Sequence, residues 1–111
     1  MAGSIRLEGE WRPLEQSEVD TLDGSLGVYQ LADDDGVVRR IGYAGGRSLF
    51  GLKGELQAHL DAGGPATRFR VEINMQYMSR YDELLMVHVA DHGARPIDND
   101  DRRSIGRLTP G

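Results

Sequence analysis

Residues 26–43 read LGVYQLADDDGVVRRIGY, a pattern typical of a β-hairpin. Apolar and polar side chains alternate well enough over residues 26–32, and again over residues 37–43, to predict two strands. The DDDG segment between them, residues 33–36, consists of residue types that favour turns. Because a tight loop joins the two strands, they are expected to run antiparallel. The hairpin is therefore the expected centre of the fold.

The chain after the hairpin predicts two helices separated by a strand. Leucines recur at helical spacing between Ser48, a candidate N-cap, and the glycines at 63–64, which predicts the first helix. Residues 67–75 alternate apolar with charged or polar side chains and predict a strand. The second helix is expected from Ser79 to about Gly93, with a broad apolar face central to the core. The predicted fold class is α+β, a small antiparallel sheet of about three strands flanked by helices.

The length of 111 residues gives room for one domain. Residues 26–100 are predicted to form that domain. Residues 1–25 are interpreted as a leader that contains a candidate strand near residues 4–11 and a candidate helical turn near residues 15–22. Residues 101–111 are interpreted as a tail.

The composition excludes several classes of protein. The chain has no cysteine, which excludes disulfides, thiolate zinc sites and cysteine nucleophiles. Its 13 basic and 18 acidic residues give a net charge of −5, which disfavours nucleic-acid binding by bulk charge but allows one local basic groove. We find neither a secretory signal nor the run of about 20 apolar residues that a membrane span needs. We therefore expect a cytoplasmic protein without a membrane partner.

A pair of histidines, His88 and His92, is one helical turn apart, which is the spacing that zinc hydrolases use. The acid beside them is Asp91 rather than the glutamate of that signature, and the sequence marks no third ligand. An incidental pair is the favoured interpretation.

The glycine-rich segment GYAGGR, residues 42–47, superficially resembles a phosphate-binding loop. It lacks the Gly-Lys-Ser/Thr ending of a P-loop, and the strand before it belongs to a hairpin rather than to a βαβ unit. Nucleotide hydrolysis is therefore disfavoured. Backbone amides of this turn, together with Arg47, remain candidates for holding a phosphate or sulfate.

Five short elements occur in a defined order along the chain. The first strand contains Gly27-Val28-Tyr29 and the second contains Arg40-Ile41-Gly42. A helix that carries His59, a later helix that carries Glu83 and a Pro-x-x-Asn element ending at Asn99 follow in turn. In this order the chain, from about residue 27 to residue 99, resembles a degenerate member of the GIY-YIG endonucleases.

The resemblance implies single-metal phosphodiester hydrolysis on a compact sheet. It implies a catalytic role for Tyr29, a metal-binding role for Glu83 with Mg²⁺ or Mn²⁺, and a supporting role for Asn99. A carboxylate is a suitable ligand for such a hard cation, which would polarise the phosphate. Each residue also has a structural interpretation: a core aromatic for Tyr29, a helix N-terminal carboxylate for Glu83 and a turn residue for Asn99.

Two of the family's reacting groups are replaced in this sequence. Arg40 stands at the position of the second tyrosine. The family's arginine precedes a His or Tyr by four residues, and alignment on His59 puts Glu55 at that position, which reverses the charge next to a phosphate. Tyr43 could supply the missing phenol, and Arg40 or Arg47 could supply the missing cation. Glu55 and His59, one turn apart, could instead pair with each other.

The sequence therefore leaves two classes of function open. The favoured one is a nuclease-like domain with weak or no hydrolysis that binds nucleic acid or a protein partner and needs no cofactor. Its nucleic-acid surface would be the basic strip formed by Arg39, Arg40, Arg47 and Lys53. The alternative is an active endonuclease that depends on Mg²⁺ or Mn²⁺ and uses Tyr29, Glu83 and a relocated arginine.

Overall fold

The computed structural model describes residues 6–99. In chain order its elements are β1 (Arg12–Pro13), α1 (Gln16–Val19), β2 (Gly27–Ala32), β3 (Val38–Ala44), α2 (Gly51–Ala62), β4 (Arg68–Ile73), α3 (Tyr77–His92) and a 3₁₀ turn (Ile97–Asn99). The predicted α+β class is confirmed. The predicted tail, residues 101–111, lies outside the described residues, as do residues 1–5.

The four strands form one antiparallel sheet in the order β1-β4-β2-β3. The predicted hairpin is β2 and β3, and β2 lies at the centre, where Tyr29 is opposite Gly42 on one side and Val71 on the other. The fourth strand, β1, is only two residues long and lies just after the predicted position of residues 4–11. Proline has no N–H with which to extend a ladder, which suits Pro13 to so short an edge strand.

The core has two parts because successive side chains of a strand point to opposite faces of the sheet. On one face, Tyr29 and Leu31 of β2 pack with Val19, Leu52 and other apolar residues of the α1–α2 layer. On the other face, a second cluster beneath α3 contains Leu7, Val28, Ile41 and Leu84. Residues before position 26 thus contribute buried side chains to both parts.

The helix α3 differs from its prediction in two respects. It begins at Tyr77, two residues before Ser79, and no side chain caps its first turn. Among its residues only Leu84 is buried, and Met86 is 71% exposed. The expectation that this helix is central to the core was wrong, because α3 covers one face of the sheet and leaves its own outer face to solvent.

The start of α2 is shaped by glycines rather than by the predicted serine cap. Ser48 instead accepts a hydrogen bond from the Gly45 amide at 3.0 Å. The residue before the helix is Phe50, in the left-handed region at φ 62°, and Gly51 follows at φ 57°. A Cβ on Gly51 would lie 2.1 Å from the Gly24 carbonyl oxygen. The first residue of α2 therefore packs directly against the backbone of Gly24, which leaves no room for a side chain.

Within residues 6–99, none of the helices has the combination of length and hydropathy that crossing a bilayer requires.

We predict that Gly51→Ala lowers the free energy of unfolding by about 3 kcal/mol or more, because it adds a backbone collision to left-handed strain. Gly36→Ala is the matched control, since Gly36 has φ 82° and no atom within 4 Å of its virtual Cβ. The control should cost only about 1–2 kcal/mol. Urea denaturation measures both, and equal losses in the two variants would contradict the close contact at Gly51.

Candidate functional site

An open cleft of about 1470 Å³ lies between β3, the start of α2 and the first half of α3. The 3₁₀ turn and the residue before Pro96 close its remaining side. Its polar lining includes three arginines, four tyrosines and one carboxylate: Arg40, Arg47, Arg95, Tyr29, Tyr43, Tyr77, Tyr81 and Glu55. The lining of this cleft is therefore rich in positive charge and in aromatic rings, although the whole chain is acidic.

At the base of the cleft, Tyr29 and His59 form a hydrogen-bonded pair. The Tyr29 hydroxyl lies 2.7 Å from His59 Nε2, and the two rings are 5.4 Å apart. Burial raises the pKa of Tyr29, although the nearby Arg40 opposes that effect. Burial, reinforced by Arg40, lowers the pKa of His59 from 6.5 to about 4. At neutral pH the phenol is therefore protonated and the imidazole is neutral.

The positive charge beside this pair comes from Arg40. Arg40 donates towards the Tyr29 oxygen, so the phenol proton is available to His59 Nε2. The resulting chain runs from guanidinium to phenol to imidazole. Such a hydrogen-bonded series can share a proton between the neutral phenol and the neutral imidazole, while the guanidinium of Arg40 can face an anion.

Asn99 fixes the strand that carries Arg40. Its side-chain oxygen accepts a hydrogen bond from the Ile41 amide at 2.7 Å, and its Nδ2 donates to the Ile41 carbonyl at 2.8 Å. Arg40 Nη1 in turn donates to the Asp98 carbonyl oxygen at 2.7 Å. The 3₁₀ turn therefore pairs with the free edge of β3, so Asn99 acts on the cleft by positioning its wall.

The opposite wall is a cluster of three tyrosines. The Tyr43 ring stacks on Tyr77 with centroids 5.7 Å apart and planes 16° apart, and it meets Tyr81 edge-on at 5.0 Å. The Gly46 amide donates to the Tyr77 hydroxyl at 3.1 Å, and a Cβ on Gly45 would lie 2.6 Å from the Tyr77 ring. The two glycines thus let the loop after β3 approach α3 closely.

Tyr77, Tyr81 and Arg95 were not predicted from the sequence. A signal was present for the two tyrosines, because their four-residue separation puts them on one face of a helix. Arg95 carried no such signal, since it lies in the connection after α3. The guanidinium groups of Arg47 and Arg95 form no hydrogen bond or ion pair within the described part of the chain.

Two backbone amides of the GYAGGR turn already donate hydrogen bonds within the fold. The Gly45 amide donates to Ser48 and the Gly46 amide to Tyr77. The cationic side chain of Arg47, rather than these amides, is what the turn offers to a ligand.

The structure brings the six predicted catalytic residues together. Tyr29, Arg40, Tyr43, Arg47 and Glu55 all line the cleft, and His59 joins them through Tyr29. The negative charge of Glu55 raises the pKa of Tyr29 further.

Three other predicted residues lie elsewhere. Glu83 is outside the cleft lining, where its carboxylate accepts a hydrogen bond from Arg80, which also binds Glu72. Arg39 is bridged to Asp33 and Asp98, and Lys53 does not line the cleft either. The predicted basic strip is therefore divided, and only its Arg40 and Arg47 face the cleft.

The expected metal site does not fit the residues that are present. The predicted ligand, Glu83, is held by Arg80, and Glu55 is the one carboxylate among the lining residues. No group of three His, Asp or Glu suited to a metal ion occurs within residues 6–99. The histidine pair of α3 has ring centroids 4.4 Å apart, but its neighbour Asp91 is engaged by Arg6. We therefore assign no Mg²⁺ or Mn²⁺ ligand in the cleft.

We predict that the stability of the protein falls between pH 6.5 and pH 4 because of His59. In this range the unfolded chain gains a proton on His59, whereas the folded pKa of about 4 keeps the buried ring neutral. The contribution is fully present above pH 6.5 and is lost as the pH falls.

The measurement is urea denaturation at pH 7 and pH 5 for the wild type and for His59→Gln, which cannot titrate. The wild type should lose more stability than the variant over this interval, and carboxylates, which titrate in both proteins, cancel in the comparison. Equal losses would mean that His59 is not shielded from protonation.

A family model described as "Domain of unknown function (DUF7508)" matches residues 5–91. Neither a curated protein nor a solved structure matches the chain significantly.

Proposed function

The chain belongs to the DUF7508 family, a domain family of unknown function, and from the geometry of its cleft we propose that it binds nucleic acid through the phosphate backbone. The observation that carries the proposal is the convergence of Arg40, Arg47 and Arg95 on one cleft that contains a single carboxylate. Guanidinium groups suit phosphate oxygens because they donate in a planar fork and remain charged at every physiological pH.

The partners of the arginines support this proposal. Arg47 and Arg95 have no hydrogen bond or ion pair within the described residues, so a phosphate would not have to displace an internal partner. Arg39, Arg68 and Arg80, by contrast, are bound to acidic side chains or to backbone carbonyls outside the cleft. With an overall charge of −5, attraction to a polyanion would be concentrated at the cleft.

We further propose that the domain is a degenerate relative of the GIY-YIG endonucleases. The arrangement of Tyr29, His59 and Arg40 around one cleft, with Asn99 supporting its edge, supports that relationship. Glu55 at the expected arginine position and the engagement of Glu83 by Arg80 favour binding over hydrolysis.

Phosphodiester hydrolysis is the second candidate, and the Tyr29–His59 pair favours it. A neutral imidazole 2.7 Å from the phenol can accept a proton, and Arg40 could stabilise negative charge on a phosphate oxygen. Two features oppose it. The pKa of the phenol is raised by burial, and the carboxylate of Glu55 repels the anion that Arg40 would attract.

Binding to the phosphate backbone of nucleic acid predicts an affinity that depends on salt and that falls when an arginine of the cleft is removed. Arg47→Ala and Arg95→Ala should each weaken binding of a fluorescent oligonucleotide by about 3- to 10-fold, and each should reduce the slope of log affinity against log salt by about one. Arg68→Ala is the matched control, because Arg68 is an exposed arginine outside the cleft. Fluorescence anisotropy over a salt series measures all four proteins.

Binding that is absent, or that does not depend on salt, would remove nucleic acid as the ligand and leave a protein partner. An equal loss in Arg68→Ala would mean that the cleft is not the binding surface.

For hydrolysis, we expect wild-type protein in excess with Mg²⁺ or Mn²⁺ to nick supercoiled plasmid no faster than Tyr29→Phe, which lacks the hydroxyl. Agarose gel electrophoresis separates nicked from supercoiled plasmid. Nicking that is lost in both Tyr29→Phe and His59→Gln would instead establish the second candidate. Nicking that is lost in Glu83→Gln, with the fold intact, would assign Glu83 a role that its pairing with Arg80 does not suggest.

A further inference from the structure

A patch of exposed apolar side chains borders the arginine-lined cleft. Leu49 is 78% exposed and Phe50 is 75% exposed, and they lie next to each other in the loop before α2. Tyr43 and Met78 continue the patch on β3 and α3. Tyr43, Leu49 and Met78 line the cleft itself, and Phe50 adjoins Leu49. We call these four residues the apolar rim.

Phe50 is held in a conformation that its own side chain disfavours. It is the one non-glycine residue with positive φ within residues 6–99, at φ 62°. A glycine would adopt this conformation without cost, whereas a residue with a bulky side chain is strained there. The ring belongs to neither core cluster, so packing inside the fold does not compensate for the strain. A strained residue that projects an aromatic ring into solvent beside a cleft indicates a contact outside the chain.

Tyr43 offers a second aromatic surface at the same rim. Its ring is backed by Tyr77 in a near-parallel stack and by the edge of Tyr81, and it remains 37% exposed. Packing on one side and exposure on the other give a rigid surface on which a flat group can stack.

Cationic and apolar groups are close together along this rim. Arg47 precedes Leu49 by two residues in one loop, and both line the cleft. A single strand of nucleic acid presents the matching pattern, since its phosphates and its unpaired bases alternate along the chain. A duplex presents its phosphates but keeps the faces of its bases stacked inside the helix.

This inference rests on the proposed binding to the phosphate backbone of nucleic acid. We infer that the cleft takes single-stranded nucleic acid, with bases stacked on the apolar rim and phosphates bound by the arginines. Base–aromatic stacking tolerates any sequence, because every base has a π face. The rim therefore selects the strandedness of the ligand and not its sequence.

The test compares three fluorescent probes of about 12 nucleotides, a length within the range that single-strand-binding domains cover. One is a single strand of thymidines, the second is a duplex, and the third is a single strand of abasic nucleotides, which has phosphates but no bases. Anisotropy should show the thymidine strand bound at least about 10-fold more tightly than the other two.

Phe50→Gly separates stacking from folding. It should weaken binding of the thymidine strand by about 5- to 30-fold and leave binding of the abasic strand unchanged. Thermal unfolding should show a Tm equal to or above that of the wild type, because glycine relieves the positive-φ strain. Val37→Ala is the control, since Val37 is an exposed apolar residue of the hairpin turn, away from the cleft. Should Phe50→Gly fail to fold, Leu49→Ser repeats the test at an exposed position.

The outcomes distinguish this inference from the function on which it rests. If none of the probes binds, the proposed binding to the phosphate backbone of nucleic acid is contradicted. If all three probes bind equally, or if Phe50→Gly and Leu49→Ser bind the thymidine strand as the wild type does, backbone binding stands and base stacking is overturned. A change of oligomeric state in Phe50→Gly by analytical ultracentrifugation would also overturn the inference, because the rim would then be a surface for a second copy of the chain.

Discussion

The cleft depends on the close approach of the Tyr29 ring to Gly42 on the neighbouring strand. The two residues are directly opposite in the β2–β3 ladder, and a Cβ on Gly42 would lie 2.4 Å from the Tyr29 hydroxyl. Because glycine leaves this space open, the phenol can lie against the strand and reach His59 on α2. The absence of a side chain at Gly42 thus allows β2, β3 and α2 to meet around a common site.

The electrostatics of the site follow from burial at its base and exposure at its mouth. Tyr29 and His59 are both kept neutral at physiological pH, since desolvation raises the pKa of the first and lowers that of the second. The positive charge comes from Arg40 beside this pair and from the exposed Arg47 and Arg95, and Glu55 is the one carboxylate in the lining. The cleft therefore combines a buried, neutral phenol–imidazole pair with three cationic side chains.

The 3₁₀ turn that supports the cleft also covers part of the free edge of β3. β3 has a free edge, which could pair with another chain, and Asn99 occupies part of it by bonding both backbone groups of Ile41. The 3₁₀ turn that carries Asn99 also holds Arg40 through the Asp98 carbonyl. The supporting residue suggested by the family resemblance therefore has a physical role in this chain: it orients the cationic wall.

The sequence by itself determined the hairpin and the α+β class, because turn chemistry and side-chain periodicity are local properties. That Tyr29, Arg40, Tyr43, Arg47, Glu55 and His59 belong to one site was implied by the family resemblance, and only the tertiary structure gave their geometry. Only the tertiary structure decided how α3 is rotated against the sheet. Burial of Leu84 points its neighbour Glu83 about 100° away, towards Arg80, and presents Tyr77 and Tyr81 to the cleft. The rotation of a helix with apolar residues on several sides is set by the surface it packs against, and residues distant in sequence build that surface.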